Sequence, residues 1–282
     1  MSVFAILPRV RSVLFGALCL TVSGHVASAA CPTGLNLVEP GFLTIGVALT
    51  APPMGFARDG QPTGFDPDLV AGLAQEMCLK PKYVDLTFQG LFPGLISKKF
   101  DIVAAAVGIT DARKEVFDFV PVFKGGLRLV TQKTSGLRFE TEKDVCGHPV
   151  AIAAGTSQMA ALERVKQECP ADKPMIMKTF TNQIEALNEV AKKSVSVAFV
   201  DWPVAANLIQ QRPDDFAEAS PVLSGRGPGT IRNRNGIVIR KGETALQDAI
   251  SAAFTAFVAE GGYDKLLTKW NLADGDIRKG GD

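Results

Sequence analysis

The segment that most constrains this chain runs from Phe100 to Phe119 and reads FDIVAAAVGITDARKEVFDF. Its apolar run, Ile102 to Val107, is short and unbroken, and it stops at Gly108 before a polar turn. A continuous apolar run of this length predicts a parallel strand that is covered on both faces. Ligand chemistry lies just beyond the carboxyl ends of such strands, so Arg113 is expected where an anion could be gripped.

The first 29 residues predict a secretory signal peptide. Arg9 and Arg11 precede the apolar stretch Val13–Val22, and Ala27-Ser28-Ala29 forms a small-x-small cleavage pattern. The apolar core is too short to remain as a membrane span, so we expect export to the periplasm. A lipid anchor on Cys31 is the alternative. It ranks lower because Ser28 stands three residues earlier, where leucine is usual.

Charge and length exclude some classes of protein. The formal net charge changes from +1 to −1 when the predicted signal segment and its two arginines are removed. A nearly neutral chain lacks the basic surface of a nucleic-acid-binding protein. The remainder, about 250 residues, is long enough for two modest domains or one domain split in two.

Four cysteines lie outside the predicted signal segment, and an even count in an exported chain favours two disulfides. We pair Cys146 with Cys169 and Cys31 with Cys78, since each pair closes a local loop. A loop of about twenty residues closed in this way contributes about 3 kcal/mol of stability. A zinc site is the alternative, but the chain has no Cys-x-x-Cys pattern and almost no histidine.

The pattern of elements predicts two α/β units. Apolar strands alternate with amphipathic helices along the first unit, as in a parallel sheet with helices on its faces. The second unit repeats the arrangement, with polar residues after each strand. The predicted strands are Phe42–Leu49, Tyr83–Phe88, Ile102–Val107, Leu127–Gln132, Val150–Ala154, Met175–Phe180, Val195–Val200 and Ile237–Arg240. Asp66 is predicted to cap a helix that has Pro67 at its first position.

Several motifs, in order, resemble the periplasmic solute-binding proteins of amino-acid ABC transporters, the bacterial extracellular solute-binding family 3. The most specific is Ile109-Thr110-Asp111-Ala112-Arg113 with Phe117-Asp118-Phe119. The similarity covers roughly residues 40 to 272. The other matching segments are Thr50–Met54, Gly64–Leu69, Leu91–Leu95, Lys99–Asp101, Gly155–Gln158, Asp201 and Gly236–Gly242.

The resemblance implies an α/β fold of two lobes, a type II clamshell with parallel-rich sheets and helices on both faces. Lobe one would hold residues 30–124 plus 235–282, and lobe two residues 125–234. Two hinge crossings are expected near Val122–Leu129 and Ser220–Asn235. Some members of the family also carry a cysteine pair around the Gly-Thr turn, as Cys146 and Cys169 do here.

An α-amino acid is a zwitterion, so its binder needs one group for an anion and one for a cation. Arg113 suits the carboxylate because its planar guanidinium can make two parallel hydrogen bonds. The alternative for Arg113 is a solvated arginine at a helix start. Asp201 suits the amine because it follows the predicted strand Val195–Val200. Its alternative is a helix N-cap.

Further candidates surround this pair. Thr156 and Ser157 lie where a strand turns into a helix, so their backbone N–H groups can attract a carboxylate or simply cap the helix. Gly108 and Thr110 could add donors from lobe one. The resemblance also places the Phe88 ring against the ligand, with a core phenylalanine as the alternative. Ala106, with Ala105, stands where members of the family have small hydroxylic residues, which argues against a lysine- or arginine-type ligand.

The expected function is therefore a monomeric periplasmic receptor that delivers an amino acid or close derivative to an ABC permease. We expect no cofactor, no metal and no nucleic acid. The alternatives are a periplasmic dehydratase of the prephenate or arogenate type on the same fold, and a ligand sensor that docks on a kinase. Histidine chemistry has little support because His148 is the one histidine after the signal segment. Trp202 is either a pocket wall or part of a lobe surface.

Overall fold

The computed structural model describes residues 1–2, 31–224 and 234–279. The predicted signal segment, apart from its first two residues, lies outside the described residues, and so do nine residues of the second predicted hinge crossing. Within the described ranges, no helix is long and apolar enough to cross a membrane.

The order of strands and helices follows the predicted alternation. The strands are β1 Phe42–Val47, β2 Thr50–Ala51, β3 Gly55–Arg58, β4 Gln61–Thr63, β5 Lys80–Asp85, β6 Ile102–Val103, β7 Phe117–Lys124, β8 Leu127–Gln132, β9 Pro149–Ala153, β10 Ile176–Phe180, β11 Val197–Asp201, β12 Phe216–Glu218 and β13 Arg234–Arg240. The helices are α1 Phe65–Glu76, α2 Phe88–Ile96, α3 Asp111–Lys114, α4 Ser157–Glu168, α5 Gln183–Ala191, α6 Trp202–Gln211, α7 Thr244–Ala259 and α8 Gly262–Lys269. Short 3₁₀ turns occupy Glu142–Val145 and Ala273–Gly275.

Two five-stranded sheets form the centres of two lobes among the described residues. Their strand orders are β5-β1-β6-β13-β7 and β10-β9-β11-β8-β12. In each sheet four strands run in the same direction and one runs against them, β13 in the first and β8 in the second. This confirms the prediction of a two-lobed α/β fold with parallel-rich sheets.

The chain passes from the first sheet to the second between β7 and β8, and returns between β12 and β13. The first sheet thus takes its strands from 42–124 and 234–240, and the second from 127–218. On this basis we propose the lobe boundaries 30–124 plus 235–282 and 125–234, with the two crossings as hinges. Each lobe buries its own apolar core around its sheet.

Both predicted disulfides are confirmed. Cys31 is bonded to Cys78, and Cys146 to Cys169, over sequence separations of 47 and 23 residues. Because all four sulfur atoms are in disulfide bonds, they are not available as thiolate ligands for zinc.

Two local predictions at the first sheet are wrong. The strand predicted from Ile102 to Val107 ends after Val103, because Ala106 takes the left-handed conformation with φ of 49° and leaves the ladder. The helix N-cap is Gly64 and not Asp66, whose carboxylate turns away to the backbone N–H of Ala106. The chain therefore bulges after β6 and rejoins β13 at Gly108, which bridges to Asn235.

Candidate ligand-binding site

A cavity lies between the two lobes. Small-molecule sites commonly lie where two domains or lobes meet. Its walls come from the loops and helix starts at the carboxyl ends of strands in both sheets. The first lobe contributes Ala48, Thr50, Ala51, Phe88, Ala105, Ala106, Gly108 and Arg113. The second lobe contributes Ala153, Thr156, Ser157, Gln158, Thr181, Asn182, Gln183 and Asp201.

The lobes are in contact at the edge of this cavity. A guanidinium nitrogen of Arg113, Nη2, donates to the carbonyl oxygen of Gly155 in the other lobe at 3.1 Å. Gly155 has φ of 72°, and a Cβ atom there would lie 2.9 Å from Cγ of Gln89 in α2. A side chain at position 155 would therefore require the Gln89 side chain or the nearby backbone to shift.

Seven of the eight predicted ligand-binding residues line the cavity, and Thr110 does not. The Thr110 hydroxyl instead accepts the backbone N–H of Arg113 at 3.3 Å and caps α3. The prediction that Thr110 offers a donor to a ligand is thus not supported by its position. A threonine just before a short helix has the N–H of the third residue on within reach, so its hydroxyl oxygen caps the helix.

Arg113 is partly buried and lines the first-lobe wall of the cavity. Its Nη1 donates to the Gly108 carbonyl at 2.7 Å, and its guanidinium lies 4.9 Å from the ring centre of Phe92 and 5.7 Å from that of Phe88. Burial lowers the pKa of Arg113 to about 10, while Asp201 acts in the opposite direction. The group therefore stays charged at neutral pH. A guanidinium has five N–H donors, so three remain for an anion after the bonds to Gly108 and Gly155.

Asp201 ends β11 and reaches the cavity from the opposite lobe. Its Oδ1 accepts from Nε2 of Gln158 at 3.0 Å, and its Oδ2 accepts from Nε2 of Gln183 at 2.6 Å. Burial raises the pKa of Asp201 to about 6, and the two glutamine amides and Arg113 act against that rise. Asp201 stands at the N-cap position of α6 but makes no side-chain capping bond. The capping alternative is therefore wrong, and the carboxylate is held toward the cavity.

Thr156 and Ser157 stand at the beginning of α4. The Thr156 hydroxyl donates to the Ala153 carbonyl at 2.7 Å and accepts from the N–H of Met159 at 3.3 Å, so it is the helix N-cap. Both residues also line the cavity. The helix start thus presents backbone N–H groups and the positive end of its dipole to the same space as Arg113.

The aromatic residues divide between the cavity and the lobe contact. Phe88 begins α2, where the sequence predicted the end of a strand, and its ring meets that of Phe92 edge-on with centres 5.6 Å apart. Phe88 lines the cavity. Trp202 does not line it. Its ring stacks on Phe123 of the first lobe at 5.9 Å, so Trp202 is neither a pocket wall nor a free surface.

Sequence reasoning missed the glutamines and one carboxylate. Gln158 and Gln183 are buried and hold both oxygens of Asp201. Gln183 comes shortly after β10, and Asp201 is the last residue of β11, so the rule about strand ends could have found Gln183 as well. Asp66 is 5% exposed, and its Oδ2 accepts the N–H of Ala106, a cavity residue, at 2.7 Å. The sequence did not indicate this contact with Ala106, because Asp66-Pro67 at a helix start is a common capping pattern.

Gln183 is expected to set the ionisation of Asp201. Its amide donates to Oδ2 of Asp201 and accepts the Asp201 backbone N–H at 2.7 Å. Gln183→Leu removes a hydrogen bond to the charged carboxylate, so the titration midpoint of Asp201 should rise by roughly one pH unit. Carboxyl ¹³C NMR of aspartate-labelled protein measures it.

Gln132→Leu is the matched control for that measurement, because the Gln132 amide bonds Val190 and Ala191 carbonyls elsewhere in the same lobe. An unchanged Asp201 midpoint in Gln183→Leu would contradict the role given to Gln183.

The chain is similar to known proteins in sequence. The chain matches the family model of bacterial extracellular solute-binding proteins, family 3, over residues 43–273. It is 27% identical over 269 residues to the L-cystine-binding protein TcyJ of Escherichia coli, covering 94% of this chain and 96% of that protein. It is 26% identical over 255 residues to the Histidine-binding periplasmic protein of Escherichia coli, covering 88% and 91%.

Two solved structures of amino acid-binding proteins have a fold similar to that of this chain. An ancestral arginine-binding protein bound to arginine has a TM-score of 0.74 and 30% identity, covering 82% of this chain and 98% of that chain. The ancestral amino acid-binding protein AncCDT-1, described as a precursor of cyclohexadienyl dehydratase, has a TM-score of 0.71 and 29% identity, covering 82% and 95%.

The two lobes and the cavity between them agree with the fold of these proteins. This chain belongs to the bacterial extracellular solute-binding proteins, family 3.

Proposed function

We propose that this protein is a periplasmic receptor that captures a free amino acid, or a close derivative, between its lobes and delivers it to an ABC permease. One observation carries the proposal: Arg113 from the first lobe and Asp201 from the second line the same cavity. Opposite charges from opposite lobes match the two charges of a zwitterion. The names of the relatives, which bind cystine, histidine and arginine, support the same class of ligand.

In this proposal the ligand carboxylate meets the free N–H donors of Arg113 and the backbone N–H groups at the start of α4, near Thr156 and Ser157. The ammonium group meets Asp201. Gly108 contributes backbone atoms to the first-lobe wall of the cavity. Phe88 and Ala106 form the part of that wall that would contact the rest of the ligand. Charge-assisted hydrogen bonds of this kind are each worth about 1.5–3 kcal/mol.

Lobe closure follows from the same arrangement. A ligand that touches both lobes binds the closed form more tightly than the open one, so it shifts the population toward closure. The stack of Trp202 on Phe123 and the bond from Arg113 to Gly155 join the lobes in that form. The closed surface is then the form that a permease would recognise.

The walls of the cavity favour a ligand whose side chain is not cationic. Asp201 is the one acidic residue among those that line the cavity in the described part of the chain, and the amine uses it. Alanines stand at 48, 51, 105, 106 and 153, and Asn182 and Thr181 offer neutral polar groups. We therefore expect uncharged side chains to bind better than those of lysine or arginine.

The test is a thermal-shift screen of the purified protein against the standard amino acids and L-cystine, followed by calorimetry on each compound that stabilises it. We expect at least one uncharged amino acid to bind and its decarboxylated and deaminated analogues to fail. No stabilisation by any amino acid would refute the receptor proposal.

Location and partners are part of the same proposal. The signal-peptide pattern in residues 1–29, the extracellular family and a relative named as periplasmic support a periplasmic location. We propose a monomer that works with a membrane permease. Detection of the cleaved chain in an osmotic-shock fraction would test the location.

A dehydratase is the second candidate. Its support is the cavity carboxylate of Asp201, whose pKa is raised to about 6 by burial, as suits a general acid. The likeness to AncCDT-1, itself described as an amino acid-binding protein, also favours this fold for such a reaction. Incubation with prephenate and arogenate, with detection of aromatic product, tests it. Absence of product together with amino-acid binding leaves the receptor proposal alone.

A further inference from the structure

A second carboxylate stands behind the wall of the cavity. Asp66 lies in the first turn of α1, 5% exposed, and accepts the N–H of Ala106 at 2.7 Å. Ala106 lines the cavity and has φ of 49°, an uncommon conformation for a residue with a side chain. The bond to Asp66 thus holds this part of the wall in place.

Among the described residues around Asp66, no cationic side chain pairs with its carboxylate. The other charged or titratable side chains on α1 and on the elements packed around it have other partners or are exposed. Three ion pairs account for Asp68 with Lys269, Lys82 with Glu39, and Asp264 with Arg278. Asp85 accepts the N–H of Leu49, Arg58 lies over the Phe56 ring, and the hydroxyls of Tyr83 and Tyr263 donate to backbone carbonyls. The remaining side chains are exposed or partly exposed: Lys80, Glu76, Asp248 and Lys265.

The charged group that acts on Asp66 from across the cavity is Asp201. Burial raises the pKa of Asp66 to about 7; the N–H of Ala106 acts against that rise, and the charge of Asp201 adds to it. Asp201 in turn is opposed by Arg113 and held by two glutamine amides. Two carboxylates that repel each other across a cavity are both stabilised by a cation placed near them.

We propose that Asp66 is a positioning residue whose carboxylate, together with Asp201, makes ammonium binding in this cavity release a proton. The inference rests on the proposed function, because it takes an amino acid as the ligand. In the free protein, part of the population carries a proton on this pair. When the ligand's ammonium group binds, the carboxylates ionise and the proton passes to the buffer.

The direction of the pH effect follows by linkage. The bound ammonium lowers the pKa of Asp66 from about 7 in the free protein to a lower value in the complex. Binding therefore releases a proton at pH values between these two pKa values. Within that interval, acidification weakens binding by up to about tenfold per pH unit, because protons compete with the ligand. Well above pH 7 both carboxylates are already ionised and no proton is released.

The experiment is calorimetry near pH 7 in phosphate and in Tris, which differ strongly in ionisation enthalpy. The probe is the amino acid that gives the largest thermal shift in the screen. We expect wild-type protein to release about half a proton per ligand, and Asp66→Asn, which keeps an acceptor for Ala106, to release almost none. Asp68→Asn is the matched control, since Asp68 pairs with Lys269 at 2.7 Å, and it should behave as wild type.

The outcomes separate the two proposals. If no amino acid binds, the receptor proposal fails and this inference fails with it. If an amino acid binds with the same heat in both buffers, or with equal proton release in Asp66→Asn, only this inference is overturned. Should Asp66→Asn not fold, ¹³C titration of aspartate-labelled wild type decides. A resonance with its midpoint near pH 7 must move to lower pH on adding the amino acid, and an unmoved midpoint refutes the inference.

Discussion

Arg113→Ala is expected to abolish measurable amino-acid binding while the protein stays folded. The variant loses the guanidinium that would hold the carboxylate, and also the bond to Gly155 that joins the lobes at 3.1 Å. Two charge-assisted hydrogen bonds at about 1.5–3 kcal/mol each correspond to a loss of at least about a hundredfold in affinity. Calorimetry measures the affinity, and thermal melting by circular dichroism checks the fold.

Lys114→Ala is the matched control for this result. Lys114 is the next residue of the same short helix, but it is exposed and pairs with Asp111 at 2.6 Å. It should bind as wild type does. Arg113→Lys keeps the charge but lacks the planar fork, so it should fall between wild type and the alanine variant. Unchanged affinity in Arg113→Ala would remove the carboxylate role from Arg113.

Asp201→Asn is expected to weaken binding by roughly tenfold to a few hundredfold, since one charge-assisted contact is worth about 1.5–3 kcal/mol. The variant loses more than its charge. Both carboxylate oxygens accept from glutamine amides, and asparagine would turn an NH₂ group toward one of them. Calorimetry over a range of pH measures the effect.

The pH profile separates charge from packing. The pKa of Asp201 is raised to about 6, so its carboxylate is charged above that pH and becomes neutral as the pH falls through it. Wild-type affinity should therefore fall on acidification, and the Asn variant should lack the part of this fall that belongs to Asp201. Asp215→Asn is the control, because Asp215 lies in the same lobe, paired with Arg212 at 2.7 Å. Equal affinity and equal profiles in wild type and Asp201→Asn would contradict the amine role.

The part of the candidate site that lies at strand ends could be predicted from the sequence. Arg113 and Asp201 follow apolar strands, and the carboxyl ends of parallel strands gather at one edge of a sheet. The structure brings both side chains to one cavity. Thr110 follows the same strand but does not line the cavity, and its hydroxyl oxygen accepts the Arg113 N–H to cap α3.

The supporting groups were not predictable in the same way. Gln183 and Asp201 are 18 residues apart and meet because β10, β9 and β11 are neighbours in one sheet. Asp66 and Ala106 are 40 residues apart and meet because the chain bulges after β6 beside the start of α1. Nothing local distinguishes these polar residues from ordinary caps and surface amides.

By itself, then, the sequence determined the kinds of elements, their order, the two disulfide pairs and the two charged residues at strand ends. Hydrophobic period, capping residues and turn residues act over a few positions, so a single chain segment carries that information. Only the tertiary structure decided which polar groups share the cavity, which way Asp66 turns, and that Trp202 joins the lobes. Burial and hydrogen bonding between distant residues depend on sheet order and lobe contact, and no local pattern encodes either one.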